Sequence, residues 1–204
     1  MLVVISYPTA VVNEATIINA LFEEGLKILH VRKPGIAVEE IKVLIGKINP
    51  QYHNRIALHQ HHEMADDFAI NRLHFTEARR KILSKESLIR LKAADYILST
   101  SIHQMEDYNN SLSSFTYTFF GPVFNSISKQ GYTSAIKDDF IFPVKSDHPK
   151  VIALGGINVI NIQKALNMQF SGVAALGTIW QKPDESIQQF KALQKAWKHL
   201  VPIK

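Results

Sequence analysis

At 204 residues, with 46% apolar and 20% charged side chains, the chain is long enough to bury a sizeable core and has the balance of a globular protein. The lack of cysteine excludes disulfides, thiolate metal sites and cysteine nucleophiles. A net charge of +5 suits a protein with an anionic small-molecule ligand. Lys and Arg are scattered among acids, with no basic run longer than Arg79-Arg80-Lys81 and no aromatic interleaving, so no nucleic-acid partner is expected.

The opening MLVVISYPTA has no basic leader and only a short apolar run, so it reads as a first strand and not as a signal peptide. No apolar stretch approaches bilayer length, so no membrane partner is expected and the reading is cytoplasmic. Short apolar, β-branched runs at 2–7, 27–32, 55–60, 72–76, 96–101, 117–121, 151–154 and 172–176 predict strands. Apolar spacing near 3.6 predicts helices over 13–24, 38–48, 85–93, 159–167 and 185–200. Asn13 and Asn158 occupy N-cap positions, and Gly25 marks a helix stop. Eight strands alternating with helices predict an α/β fold, a single-domain (β/α)₈ TIM barrel over residues 1–204. The same alternation permits an open doubly wound sheet. The longest irregular stretch, 124–150, follows the sixth strand, where a loop of that length points to function.

In such barrels the strand ends and the loops after them line the site. In the second strand, KILHVRKPG, alternation puts Ile28, His30 and Arg32 on one face and Leu29, Val31 and Lys33 on the other. Arg32 would then bring a planar cationic fork to the mouth, well matched to phosphate; alone it reads equally as a surface arginine paired with an acid. The third strand runs into ALHQHHEMADD, three histidines and three carboxylates within residues 57–67. Its histidines lack the spacing that lets one helix present two of them to a metal, and no bound transition metal is expected. His59 is expected to line the pocket, His61, His62 and Glu63 to begin a helix, and Asp66 and Asp67 to be solvated.

The fifth strand ends LSTSIHQMED, where Ser99, Thr100 and Ser101 offer hydroxyls; Ser101 reads alternatively as a helix N-cap. The sixth ends FFGPVFNSISKQG, whose Ser126, Ser128, Lys129 and Gly131 suit a lid over a charged leaving group. Gly155-Gly156 after the seventh strand and Gly177-Thr178 after the eighth stand where this fold commonly grips phosphate. His30 and His74 are acid/base candidates, or else hydrogen-bonded barrel histidines.

Over nearly its whole length the chain resembles the thiamine phosphate synthase family, including its thiazole tautomerase-like branch. GPVFNSISKQG is similar to that family's GPxFxTxTK loop, LHVRK to QxRxK, LSTSIH to GxSxH and ALGGI to IGGI. The resemblance implies a transferase that joins an aminopyrimidine methyl diphosphate to a thiazole phosphate and releases pyrophosphate with Mg²⁺ present. It implies catalytic roles for Arg32, Ser101 and Lys129, with diphosphate contacts from Ser126 and Ser128. His30, His59 and Gln60 would bind substrate, and Gly155, Gly156, Gly177 and Thr178 would seat the thiazole phosphate. A homo-oligomer is left open.

The departures from the pattern are specific. Pro34 stands at the motif's lysine, and His59-Gln60 stand where the family ends its third strand Asn-Asp, the aspartate being a Mg²⁺ ligand. After the fourth strand, where the family places a second metal-binding aspartate, stand Thr76, Glu77, Ala78 and Arg79; either the diphosphate brings its own Mg²⁺ with Glu77 as one anchor, or Arg79 or Arg80 supplies the positive charge directly. Three readings follow: the synthase-like transferase, a thiazole tautomerase-like isomerase, and a non-catalytic binder of a phosphorylated thiamine precursor. The isomerase is opposed by Pro122, which stands where that branch carries a histidine.

Overall fold

The computed structural model describes residues 1–109, 112–125, 136–137 and 139–200. Its strands are β1 (Leu2–Ile5), β2 (Ile28–Val31), β3 (Ile56–Leu58), β4 (Arg72–Phe75), β5 (Ile97–Ile102), β6 (Tyr117–Phe120), β7 (Lys150–Leu154) and β8 (Gly172–Ala175). They pair in chain order, all parallel, and β8 returns to β1 with Val4 opposite Ala175. That closing pair decides for the (β/α)₈ barrel over the open sheet.

Side-chain alternation sorts the strand residues into two cores. Val3, Ile5, Ile28, Tyr117, Phe119, Ile152 and Ala174 fill the barrel. Val4, Leu29, Leu58, Leu73, Val151 and Val173 face outward and pack beneath the helices. Helix α1 (Glu14–Glu23) lays Ile18, Leu21 and Phe22 on that outer surface, α2 (Val38–Gly46) lays Ile41 and Ile45, and α8 (Ser186–Leu200) lays Phe190 and Leu193.

Three short helices escape a periodicity reading because they are too brief to complete a pattern: α3 (Glu77–Ile82), α5 (Met105–Asn109) and α7 (Gly177–Trp180). Helix α4 (Lys85–Ala93) matches its expected span, with the Ser84 hydroxyl accepting from Ser87 N. The expected asparagine caps behave differently. Asn13 sits in the left-handed region at φ 57° and makes no side-chain cap bond. Asn158 closes an Asx turn, accepting from Ile160 N and Asn161 N, so α6 (Ile162–Asn167) starts later than its apolar spacing suggests. After β3 the chain makes two 3₁₀ turns, His62–Met64 and Asp66–Phe68, rather than a helix, with His61 and Ala69 at positive φ. Asp66 accepts from the Tyr96 phenol and Asp67 pairs with Lys42.

Lys33 follows Arg32 and points to the opposite side, as alternation requires. Its ammonium is buried against Glu14 at 2.7 Å and also donates to Thr9 O. Burial pushes the Glu14 carboxyl up from its ordinary range, while the Lys33 ammonium pulls it the other way. Because both side chains are almost fully enclosed, removing one partner leaves a bare buried charge. Lys33→Met is expected to cost about 3–5 kcal/mol, and adding Glu14→Leu to recover most of it. Urea unfolding of the two single variants and the double variant checks both; losses that simply add in the double variant would mean that the pair is not coupled.

Candidate functional site

The barrel interior turns polar toward the carboxyl ends of the strands. His30 from β2, His74 from β4 and Ser99 from β5 are fully buried, and His59, just past β3, is 7% exposed. His30 Nδ1 lies 2.9 Å from His59 Nε2, and His30 Nε2 lies 2.7 Å from the Tyr117 phenol at the start of β6. His74 Nδ1 bonds the Ser99 hydroxyl and His74 Nε2 the Ser101 hydroxyl, each at 3.0 Å. The His59 and His74 rings stack at 3.9 Å between centroids.

Among the described residues no carboxylate bonds these rings, and burial holds them neutral. Burial, with some help from Arg72, pushes His30 down to about 3. Burial holds His59 and His74 well below the usual histidine range, reinforced by the neighbouring imidazoles and by Arg32. Burial raises the Tyr117 phenol to about 12. His62, also buried, is pushed down to about 4 and donates from Nε2 to Leu58 O and His74 O.

The charge of Arg32 acts on both His59 and His74, and His74 bonds Ser101. The Arg32 backbone is tied on both sides. Arg32 N donates to the Ser6 hydroxyl, which donates back to Arg32 O. On the other side Gln60 clasps Lys33, accepting from Lys33 N through Oε1 and donating to Lys33 O through Nε2. The Gln60 amide is therefore spent on backbone. Ser101 lies within β5 and bonds His74, so it is not a helix N-cap.

The loops after β6, β7 and β8 meet at the same end. Gly155 and Gly156 both have positive φ, and a Cβ on Gly156 would come within 2.4 Å of Asn125 O. These glycines are thus required by the close approach of the β6 loop as well as by the turn itself. Thr178 donates from Oγ1 to Ile157 O at 2.5 Å and staples the β8 turn to the β7 turn. Ser126, Ser128, Lys129 and Gly131 lie outside the described residues. A hollow of about 340 Å³ lies between α1 and α2, walled by Glu14 and Lys33 and by Ala10, Val11 and Ile36 of the loops after β1 and β2.

With this geometry in place, residues 2–179 match the family model described as thiamine monophosphate synthase. The chain belongs to that family. It is 23% identical over 166 residues to the thiamine-phosphate synthase of Lysinibacillus sphaericus, across 79% of this chain and 76% of that one. A thiamine phosphate pyrophosphorylase structure from Bacteroides thetaiotaomicron superposes with TM-score 0.73 at 28% identity, covering 96% of each chain. One from Pyrococcus furiosus reaches TM-score 0.76 at 16% identity, over 98% of this chain and 96% of that one, and speaks to the fold alone.

The family implies Mg²⁺, and the groups at the corresponding strand ends do not fit it. Magnesium takes oxygen ligands, chiefly carboxylates and water. Beyond β3 stand an imidazole and the committed Gln60 amide. Both Glu77 oxygens are occupied, by Lys81 at 2.5 Å and His103 at 2.6 Å. Burial alone would raise Glu77, but these two partners bring it down to about 2. Arg80 is turned to Asp107 at 3.1 Å, while the charge of Arg79 acts on His62 beside the mouth.

Tyr117 is the site residue that sequence reading passed over, since an aromatic opening a strand looks like core. Its even spacing from Phe119 was the available signal, because it sets both on the inner face.

Neutral buried histidines make folding sensitive to acid in a definite direction. His30 drops from an ordinary 6.5 to about 3 on folding, so below about 6.5 the unfolded chain binds more protons. Stability is fully present above that pH and is lost as pH falls toward 3, with His59 and His74 adding in the same sense. Denaturant titrations from pH 7 to pH 4 are expected to show a slope of more than one bound proton. A flat profile between pH 6 and 5 would rule out neutral burial.

Proposed function

We propose that the chain is a thiamine phosphate synthase-type transferase, coupling an aminopyrimidine methyl diphosphate to a thiazole phosphate with release of pyrophosphate. The observation that supports it is that the Arg32 charge acts on His74, whose Nε2 bonds the Ser101 hydroxyl. Arg32 would receive the diphosphate in its planar fork, held in aim by Ser6 and by the Gln60 clasp on the next residue. The Ser101 hydroxyl would add a donor, and Ser126, Ser128 and Lys129 would complete the grip. The Gly155-Gly156 and Gly177-Thr178 turns, stapled together, would seat the thiazole phosphate through backbone groups. His59 would wall the pyrimidine, with His30 fixing its orientation.

As the family resemblance implies, the diphosphate departs first, a pyrimidine-stabilised cation forms, and the thiazole nitrogen captures it. The protein's work is then positioning and stabilisation of the departing charge, with no general base required. No step is routed through Mg²⁺, because the acids near the mouth are committed elsewhere. The second reading, a thiazole tautomerase-like isomerase, draws support from the buried imidazoles and hydroxyls, each of which can both donate and accept a proton.

Incubation with both phosphorylated precursors, with and without Mg²⁺, while following pyrophosphate release, tests the transferase. Release is expected, and Arg32→Ala should lower kcat/KM about 100- to 1,000-fold, as loss of one charge-stabilising donor does elsewhere. Isomerisation of the thiazole alone selects the second reading. Binding of thiazole phosphate with no turnover selects a non-catalytic binder and sinks both enzymatic readings.

A further inference from the structure

Helix α3 leaves the end of β4 carrying Glu77, Arg79, Arg80 and Lys81, and their charged ends go to different places. Glu77 bonds Lys81 and also His103, which lies just past β5. Lys81 lies 3.7 Å and Arg80 3.1 Å from Asp107 of α5. These three side chains therefore occupy the flank of α3 that faces β5 and α5.

An α-helix turns about 100° per residue, so Arg79 stands about 200° from both Glu77 and Lys81 and leaves the opposite flank. The strand on that side of β4 is β3. His62, just past β3, bridges the two strand ends, its Nε2 bonding Leu58 O at 3.0 Å and His74 O at 3.2 Å. Burial first, and then the Arg79 charge, push His62 down to about 4, as a guanidinium on that flank requires. Arg79 is exposed, and among the described residues no carboxylate pairs with it, whereas Arg80 and Lys81 are both paired.

The acids and amides nearby are engaged. Gln60 spends its side chain on the Lys33 backbone, and Glu77 has a partner on each oxygen. Glu63 is exposed and lies 3.3 Å from His61. Among the described residues the one set of three metal-ligating groups is His30, His59 and His74, which is all imidazole, whereas magnesium takes oxygen. The sequence leaves three sources of positive charge here: a Mg²⁺ anchored by Glu77, Arg79, or Arg80. The contacts of Glu77 and Arg80 remove the first and the last.

We propose that the diphosphate is held and released with no divalent cation bound by the chain, the Arg79 guanidinium supplying positive charge over the ends of β3 and β4. The proposal rests on the transferase reading. When the bond from the pyrimidine's methylene carbon to the diphosphate oxygen breaks, its electron pair stays on that oxygen. The lone pair of the thiazole nitrogen then forms the new carbon–nitrogen bond. One electron pair departs with pyrophosphate and one arrives from nitrogen, so no proton donor or redox partner is needed. Arg79 donates its N–H groups to the departing oxygens. Its fork matches phosphate, and a guanidinium stays charged at any working pH.

Two measurements test this. Calorimetry in EDTA follows binding of inorganic pyrophosphate. The unsubstituted chain is expected to bind, Arg79→Gln to bind about 10- to 100-fold more weakly, and Arg79→Lys to recover part of the loss. Binding that requires Mg²⁺, or equal binding by Arg79→Gln, would overturn the proposal. Thermal unfolding that matches the unsubstituted chain checks that both variants fold. The second measurement follows pyrophosphate release from both precursors in metal-stripped buffer. There kcat/KM is expected to be the same with EDTA as with added Mg²⁺, and to fall about 100-fold in Arg79→Gln. Release that depends on Mg²⁺ sinks the proposal while the transferase stands. If no condition yields release, the transferase falls, and calorimetry alone decides whether Arg79 makes a metal-free anion site.

Discussion

The governing constraint is that a closed parallel barrel has no exit for an inward polar group: whatever points inside must find its partner inside. Strand alternation sends His30, His74, Ser99, Ser101 and Tyr117 inward, and among the described residues no carboxylate bonds them. A protonated imidazole there would be an unpaired buried charge, which is why the rings stay neutral and spend their donors on one another. The groups bond in two sets, His59 with His30 and Tyr117, and His74 with Ser99 and Ser101, and His59 Nδ1 is left buried without a partner.

The same alternation shapes the rim. Lys33 goes to the outer wall, where Glu14 holds it, and the charge of Arg32, one residue earlier, acts on His59 and His74. The last residues of β2 are then fixed from both sides, by Ser6 and by Gln60, through backbone contacts that do not depend on long flexible side chains. These ties matter more than the exposed ion pairs, such as Lys182 with Glu185, because water and salt screen the latter. Across the barrel, Gly156 allows the β6 loop to lie directly on the β7 turn. Arg32, Ser101 and the Gly155-Gly156 turn are thus each tied to a neighbouring strand or loop, which is what holds a constellation within the tolerance that positioning catalysis needs.

Much of this was legible in the residues. Apolar runs alternating with helical patterns gave the barrel, and the GPVFNSISKQG, LHVRK, LSTSIH and ALGGI stretches gave the family before any coordinates were compared. The split of Ile28, His30 and Arg32 from Leu29, Val31 and Lys33 followed from period-two alternation alone and is the observed one. Short helices and cap positions were not legible, because a helix of one turn leaves no periodic trace and an asparagine can serve an Asx turn as well as a cap.

The sequence by itself determined the fold class, the family and the side of each strand on which a residue lies, because these depend on local periodicity and on short contiguous motifs. Only the tertiary structure decided that the lone histidines of β2, the β3 end and β4 would meet, that Tyr117 would join them, and that Gln60 and Glu77 would be spent on protein partners. Those pairings link strands whose residues are far apart in the chain. They depend on the register in which eight strands close, which no local pattern encodes.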